Sequence, residues 1–152
     1  KDSQNYIIQL NGEKIIIDNL LKDDKYFESE DNDEYYNGFI YNNNSIDYLC
    51  ACMSNGFIQI WDLNNKKIIK NFNTNCNFFN IIQWNNNFII GCQYKYIDLE
   101  KSEYSLNIID IKNEQIISKI KNNANNIKKL YHSKHGESLI ISDDNYISLW
   151  KA

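Results

Sequence analysis

YLCACMSNGFIQIWD, from Tyr48 to Asp62, is the stretch that decides the fold. An apolar run meets a short polar turn at Asn55-Gly56, and a second β-rich run closes on Trp61-Asp62. Asn-Gly between two such runs is a strong hairpin signal, because the favoured two-residue turn needs φ > 0 at both central residues. Gly56 is therefore expected in a two-residue turn at positive φ. Apolar residues occupy both faces of these runs, where a half-exposed sheet would alternate them with polar ones, so the sheet is expected to be covered on both sides.

The same pattern recurs three more times. YIIQLNGEKIIID runs from Tyr6 to Asp18, a split copy runs from Phe88 to Asp110, and SLIISDDNYISLWK runs from Ser138 to Lys151. Aligned near their ends, the anchors are Ile17, Trp61, Ile109 and Trp150, spaced 44, 48 and 41 residues apart. Asp18, Asp62 and Asp110 follow the first three. Gly12 and Asn145 take the turn position of Gly56 in the first and last copies, as Asn11-Gly12 and Asp144-Asn145. In the third copy YKYIDLEKSE stands before Tyr104, an extended hairpin tip that accounts for the longer spacing. Further short strands are expected at 67–72, 78–84, 115–121 and 127–132, which gives four strands per unit of about 44 residues; connections this short force antiparallel neighbours. Self-similarity at such a period marks a repeat architecture. The reading is one all-β domain over 1–152, divided into a partial unit at 4–30, units at 34–73 and 76–121, and a partial unit at 124–152.

Composition agrees. Hydrophobic residues make up 43% and aromatics 14%, enough for a packed core. Ile dominates and Tyr follows, whereas Ala, the best helix former, occurs only at Ala51, Ala124 and Ala152. The net charge is −4, and all sixteen basic residues are Lys. Without Arg the chain lacks the fork that reads guanine edges and grips phosphate, so direct nucleic-acid binding is not expected. Nor is there a basic amphipathic stripe or a long apolar run for a membrane. Cys50 and Cys52 sit two apart in a strand, poorly placed to bridge, and Cys76 and Cys92 have no evident partners. Free thiols fit a reducing, intracellular location, cytoplasmic or nuclear. The chain opens on Lys1 rather than Met and is expected to be a piece of a longer polypeptide. The Asn runs at 42–44, 85–87 and 122–126 fall between strands and read as turns, where Asn tolerates φ > 0.

FIQIWDL, from Phe57 to Leu63, resembles the Trp-Asp strand of the WD40 family, and NIKKLYHSKHGESLIISDDNYISLW resembles that family's inner strand, turn, second strand and Trp-bearing third strand. The resemblance covers nearly the whole chain. It implies antiparallel four-stranded blades of a β-propeller, about three and a half of them in a partial or open ring. The repeats are degenerate: Trp61-Asp62 is the one Trp-Asp pair and no Gly-His precedes an inner strand. The family likeness implies a scaffold or adaptor that binds other proteins without catalysis. The rest of its own chain, or another subunit, would complete the ring. The alternative is a non-catalytic propeller subunit of an RNA-processing or other nucleic-acid-associated assembly.

No constellation for chemistry stands out. Cys50-x-Cys52 with His132 and His135 superficially resembles a zinc set, but the cysteines lie mid-strand and the histidines flank a turn in another unit, so small core-facing thiols and turn histidines are the expectation. The five Gly are scattered, with no phosphate-cradling pattern, and no cofactor is expected. The polar stretch Lys22–Asn37 carries Asp23, Asp24, Glu28, Glu30, Asp31, Asp33 and Glu34 without the arrangement of a calcium loop. It reads as a solvated loop, with an acidic docking loop for a basic partner as its functional form and Ser29 in a context that an acidophilic kinase would read. Tyr35, Tyr36, Tyr94, Tyr96 and Tyr104 suit a protein interface and a β-core equally.

Overall fold

The computed structural model describes residues 6–11, 14–19, 24–30, 34–85, 87–96, 102–122, 129–132, 138–142 and 147–151, with side chains described only within 34–121. The described residues form strands joined by turns, without a helix. The first sheet is β1 (Tyr6–Asn11), β2 (Lys14–Asn19) and β3 (Asp24–Glu30). The second is β4 (Tyr35–Asn43), β5 (Ile46–Met53), β6 (Phe57–Asp62) and β7 (Lys67–Asn73). The third is β8 (Phe78–Gln83), β9 (Phe88–Tyr96), β10 (Ser102–Asp110) and β11 (Gln115–Asn122). The fourth is β12 (Lys129–His132), β13 (Ser138–Ser142) and β14 (Ile147–Lys151). Every strand pairs antiparallel with its neighbour in sequence, as short connections require.

The sheets follow one another in chain order. The innermost strand of the second sheet, β4, touches β1 on one side and β8 on the other, and β8 touches β12. Sheets stacked in sequence with their first strands side by side are the blades of a propeller, here in an unclosed arrangement. The all-β class expected from the repeat is the one found.

The core explains why both faces of these strands are apolar. Successive side chains of a strand point to opposite faces. Cys50, Cys52, Ile58, Ile60 and Phe72 of the second sheet join Phe78, Ile81, Ile89, Ile109 and Ile111 of the third in one buried cluster. The alternate residues Leu49, Ala51, Met53, Trp61 and Leu63 form a second cluster on the other face of the second sheet. Ile90, Cys92 and Leu106 begin a third on the far face of the third sheet. Each four-stranded sheet therefore lies between two apolar layers.

Within the third sheet, on the face turned to the second, packing is tight enough to fix a residue type. A Cβ at Gly91 would lie 2.6 Å from Cδ1 of the buried Phe78 ring, which rests on the glycine. Polar groups join the second and third sheets. Ile81 N donates to Asn37 Oδ1 at 3.3 Å, and Cys52 Sγ lies 3.2 Å from the Phe78 carbonyl oxygen.

Turns correct the sequence reading in two places. Asn55-Gly56 does not form a two-residue turn with two positive φ angles. Ser54, Asn55 and Gly56 make a three-residue loop in which only Gly56 is positive, at φ 85°. Gly56 N donates to Met53 O, and Asn55 Oδ1 accepts from Phe57 N at 3.1 Å, so the Asn side chain caps the loop instead of placing its backbone at φ > 0. The two-residue turn with both φ positive occurs at Asn44 (52°) and Ser45 (67°), between the paired residues Asn43 and Ile46. In the first sheet Asn11 is still a strand residue, paired with Lys14. Gly12 and Asn145 lie outside the described residues.

The second correction concerns the acidic stretch. Asp24, Glu28 and Glu30 lie on β3, the outer strand of the first sheet, and not in a loop. β3 is the end strand of its sheet, and the corresponding end strand of the second sheet, β7, is exposed at most positions. Glu34 is exposed just before β4, and Asp23, Asp31 and Asp33 lie outside the described residues.

Candidate interaction surface

Trp61 and Ile109 occupy equivalent positions on the third strands of the second and third sheets, 6% and 0% exposed. Ile17 lies on β2, the middle strand of the first sheet, and Trp150 on β14, the third strand of the fourth. Trp61 and Ile109 are packing residues. Asp62 and Asp110 have a different task from the one an anchor label suggests. Asp62 Oδ1 accepts from Asn65 N at 2.9 Å, and Asn65 Nδ2 donates to Asp62 Oδ2 at 2.7 Å. Asp110 repeats the device: Oδ1 accepts from Lys112 N and Asn113 N, and Asn113 Nδ2 donates to Oδ2. Each carboxylate ties the turn to the outer strand, and Lys66 and Glu114 close those turns at φ 55° and 58°. Hydrogen bonds from the Asn65 side chain and backbone hold the Asp62 carboxyl below its ordinary range, and those from Asn113 do the same for Asp110. Asp18 is the penultimate residue of β2, which ends at Asn19.

The buried thiols Cys50, Cys52 and Cys92 offer no ready nucleophile. Burial, and then the neighbouring Cys52, pushes the Cys50 thiol up; burial pushes Cys52 up to about 12 and raises Cys92. These three stay protonated at neutral pH, and all four cysteines are free. Among the described residues no three His, Cys, Asp or Glu side chains converge to hold a metal ion.

The surface departs from a plain repeat at the third sheet. In the second sheet the hairpin turns just after Met53, which faces Phe57 across the loop. In the third, the equivalent residues are Gln93 and Ser105, and pairing continues through Tyr94–Tyr104, Lys95–Glu103 and Tyr96–Ser102. Three further pairs carry the hairpin roughly 10 Å beyond its neighbour. The expected tip at 94–103 is thus largely strand, and its turn at 97–101 lies outside the described residues. One face of the extension carries Tyr94 and Tyr104, with ring centroids 5.0 Å apart, and Phe79 meets Tyr104 edge-on at 6.1 Å. The other face carries Lys95, Glu103 and Gln93 beside Lys119 and Lys121 of β11.

Between that polar face and the loop joining β7 to β8 lies a cleft of about 510 Å³. Asn75 and Asn77 wall it on the second-sheet side, with Gln93, Lys95 and Lys119 on the third. The loop is shaped by its own side chains: Asn73 Oδ1 accepts from Asn75 N at 2.7 Å, and Thr74 Oγ1 donates to Gly56 O at 2.8 Å. A second concavity of about 230 Å³ opens at the opposite ends of the same two sheets. The stacked Tyr41 and Tyr48 rings, 5.3 Å apart, line it together with Ile60 and Ile111. Lys70 bridges the sheets at its rim through Glu114 at 2.8 Å.

Sequence reasoning found the hairpin extension from the 48-residue spacing. It missed both clefts, because their walls come from segments far apart in the chain.

No protein-family model matches the chain, and no curated protein matches it in sequence. Solved structures do. The WD40 domain of Toxoplasma gondii coronin superposes with a TM-score of 0.74 over 96% of this chain and 39% of its own, at 8% identity. Hydrazine synthase of Kuenenia stuttgartiensis matches with a TM-score of 0.71 over 90% of this chain and 40% of its own, at 10% identity. A dihydro-heme d1 dehydrogenase, NirN, solved with DHE, matches at 0.66 over 90% of this chain and 30% of its own, at 12% identity. The chain spans two fifths or less of the length of these structures. At such identities the likeness carries the fold and leaves activity open, since a WD40 domain and two enzymes share it.

Proposed function

We propose that the chain is part of a WD-repeat-type propeller that holds other proteins together and performs no catalysis of its own. The observation that carries this reading is the third-sheet hairpin, which extends three residue pairs past its neighbour and puts Tyr94 and Tyr104 on one face. Rigid aromatic side chains on a projecting element supply contact area at low entropic cost, the property that makes Tyr frequent at binding hot spots. Raised pKa values at Cys50, Cys52 and Cys92 support a binding role over thiol chemistry. Free cysteines support a reducing, intracellular setting. In this reading the remaining blades come from the same polypeptide or from another subunit.

Affinity purification of the complete polypeptide tests it. The wild type is expected to retain a defined set of proteins, and a Tyr94→Ser/Tyr104→Ser variant of unchanged melting temperature is expected to lose members of that set. An identical set from both proteins, or salt-dependent RNA binding by the purified wild type, would overturn it.

A further inference from the structure

The cleft beside the hairpin is rich in donors and in positive charge. Gln93 Oε1 accepts from Lys119 Nζ at 3.0 Å and from Ser105 Oγ at 3.4 Å. Both bonds fix the amide with its oxygen occupied, which leaves the Nε2 donors of Gln93 for whatever enters. Behind Ser105 the chain of bonds continues inward: Asn107 Nδ2, fully buried, donates to Ser105 Oγ at 3.5 Å. The Gln93 position is thus braced from the core and is not a loose surface amide.

Two cations line the cleft, Lys95 and Lys119. Lys119 is held by a neutral amide, and no ion pair to Lys95 or Lys119 occurs among the described residues. Glu103 faces Lys95 across the hairpin, but its Oε1 is engaged by Lys121 at 3.1 Å. Asp62 and Asp110 belong to the turns at the opposite ends of the sheets. Two ammonium groups and an oriented amide converge on a cleft of about 510 Å³, in a protein whose overall charge is −4. That contrast makes the cleft an electrostatic exception on an acidic molecule.

We propose that this cleft is the docking site for an acidic peptide segment of a partner protein, its Asp or Glu carboxylates meeting Lys95, Lys119 and the Gln93 amide. The proposal rests on the reading of the chain as a protein-binding module and names the chemistry of one contact. A peptide fits better than a nucleic acid: lysines bind carboxylates as point charges, whereas the Arg forks and the long basic stripe that follow a phosphate backbone are missing. Asn75 and Asn77 on the facing wall offer amide groups able to pair with a peptide backbone.

The test uses the complete polypeptide and fluorescence anisotropy of a labelled peptide of alternating Glu and Ala, about twelve residues long. Saturable binding is expected, weakened several-fold as salt rises from about 0.05 M to about 0.3 M. Lys95→Gln/Lys119→Gln is expected to weaken it about tenfold with the melting temperature unchanged. Lys66→Gln/Lys67→Gln, which removes the same charge at the opposite ends of the strands, is expected to leave it intact. The proposal is overturned by no binding of the acidic peptide, by equal losses in both double variants, by equal binding of the Gln–Ala peptide, or by tighter binding of an oligouridylate at the same lysines. Partner capture that survives Lys95→Gln/Lys119→Gln but fails in Tyr94→Ser/Tyr104→Ser would remove the cleft proposal and leave the module reading standing.

Discussion

The second sheet closes its central hairpin in three residues, whereas the third carries the same two strands three residue pairs further before turning. Below that point the two are built alike. Each has a buried anchor on its third strand, an Asp-capped turn after it, and a bulge that leaves one apolar outer-strand residue unpaired, Ile69 in β7 and Ile117 in β11. Those bulged residues are exposed, and bulges of this kind blunt an outer edge against pairing with another chain. The shared parts are the ones that stacking demands, and the parts that differ are the ones free to serve recognition.

Differences persist inside the interfaces as well. Where the second sheet has Trp61, the third has Ile109; where it has Ala51 opposite Gln59, the third has Gly91 opposite Asn107. The Tyr35 hydroxyl donates to Gln59 Oε1 at 2.7 Å, but the residue equivalent to Tyr35 is Phe78, and Asn107 Oδ1 finds no partner among the described residues. Each contrast gives a way to break or sharpen the comparison.

The largest effect is expected at the anchor. Trp61→Ala removes a buried indole from the core and should cost about 3–5 kcal/mol in chemical denaturation, enough to unfold a marginal domain. A loss below about 1 kcal/mol would mean that Trp61 does not pack between blades. Next, Gly91→Ala should cost about 1–3 kcal/mol, because its methyl meets the Phe78 ring; adding Phe78→Leu should recover part of the loss. Ala51 already carries that methyl in the second sheet, so the penalty belongs to the third sheet's ring.

The buried amides should separate in sign. Gln59→Leu removes the acceptor of the Tyr35 hydroxyl bond and should cost about 0.5–1.5 kcal/mol, whereas Asn107→Leu should be neutral or stabilising because it removes an unpaired buried oxygen. Equal losses in the two variants would show that Asn107 Oδ1 has a partner. The smallest effect is expected at the tight turn. Ser45→Gly relieves a non-glycine residue at φ 67° and should stabilise by up to about 1 kcal/mol, read as a small rise in melting temperature.

Much of this architecture could be read in the sequence, because stacking between two neighbours leaves a repeated and doubly apolar pattern. Tyr48–Asp62 and its copies carry that pattern, and the longer third spacing marked the hairpin that now projects. Turn type was less legible. Asn55-Gly56 has the favoured dipeptide, but the strand register allots three residues to that loop, and the two-residue turn falls on Asn44-Ser45. Asp24–Glu30 misled for a related reason: an outer strand with one solvent edge has the charge of a loop, and only Tyr26-Phe27 hints at pairing. The cleft was invisible, since Asn75, Gln93, Lys95 and Lys119 meet only through register and the stacking of two sheets.

Methyl–methyl nuclear Overhauser contacts on an isoleucine-labelled sample test the stacking itself. Ile58 and Ile60 of the second sheet share one buried cluster with Ile81, Ile89, Ile109 and Ile111 of the third. Cross-peaks joining the first pair to the second group are the predicted result. Cross-peaks confined within each sheet, with none between the two groups, would contradict face-to-face blades and the account built on them.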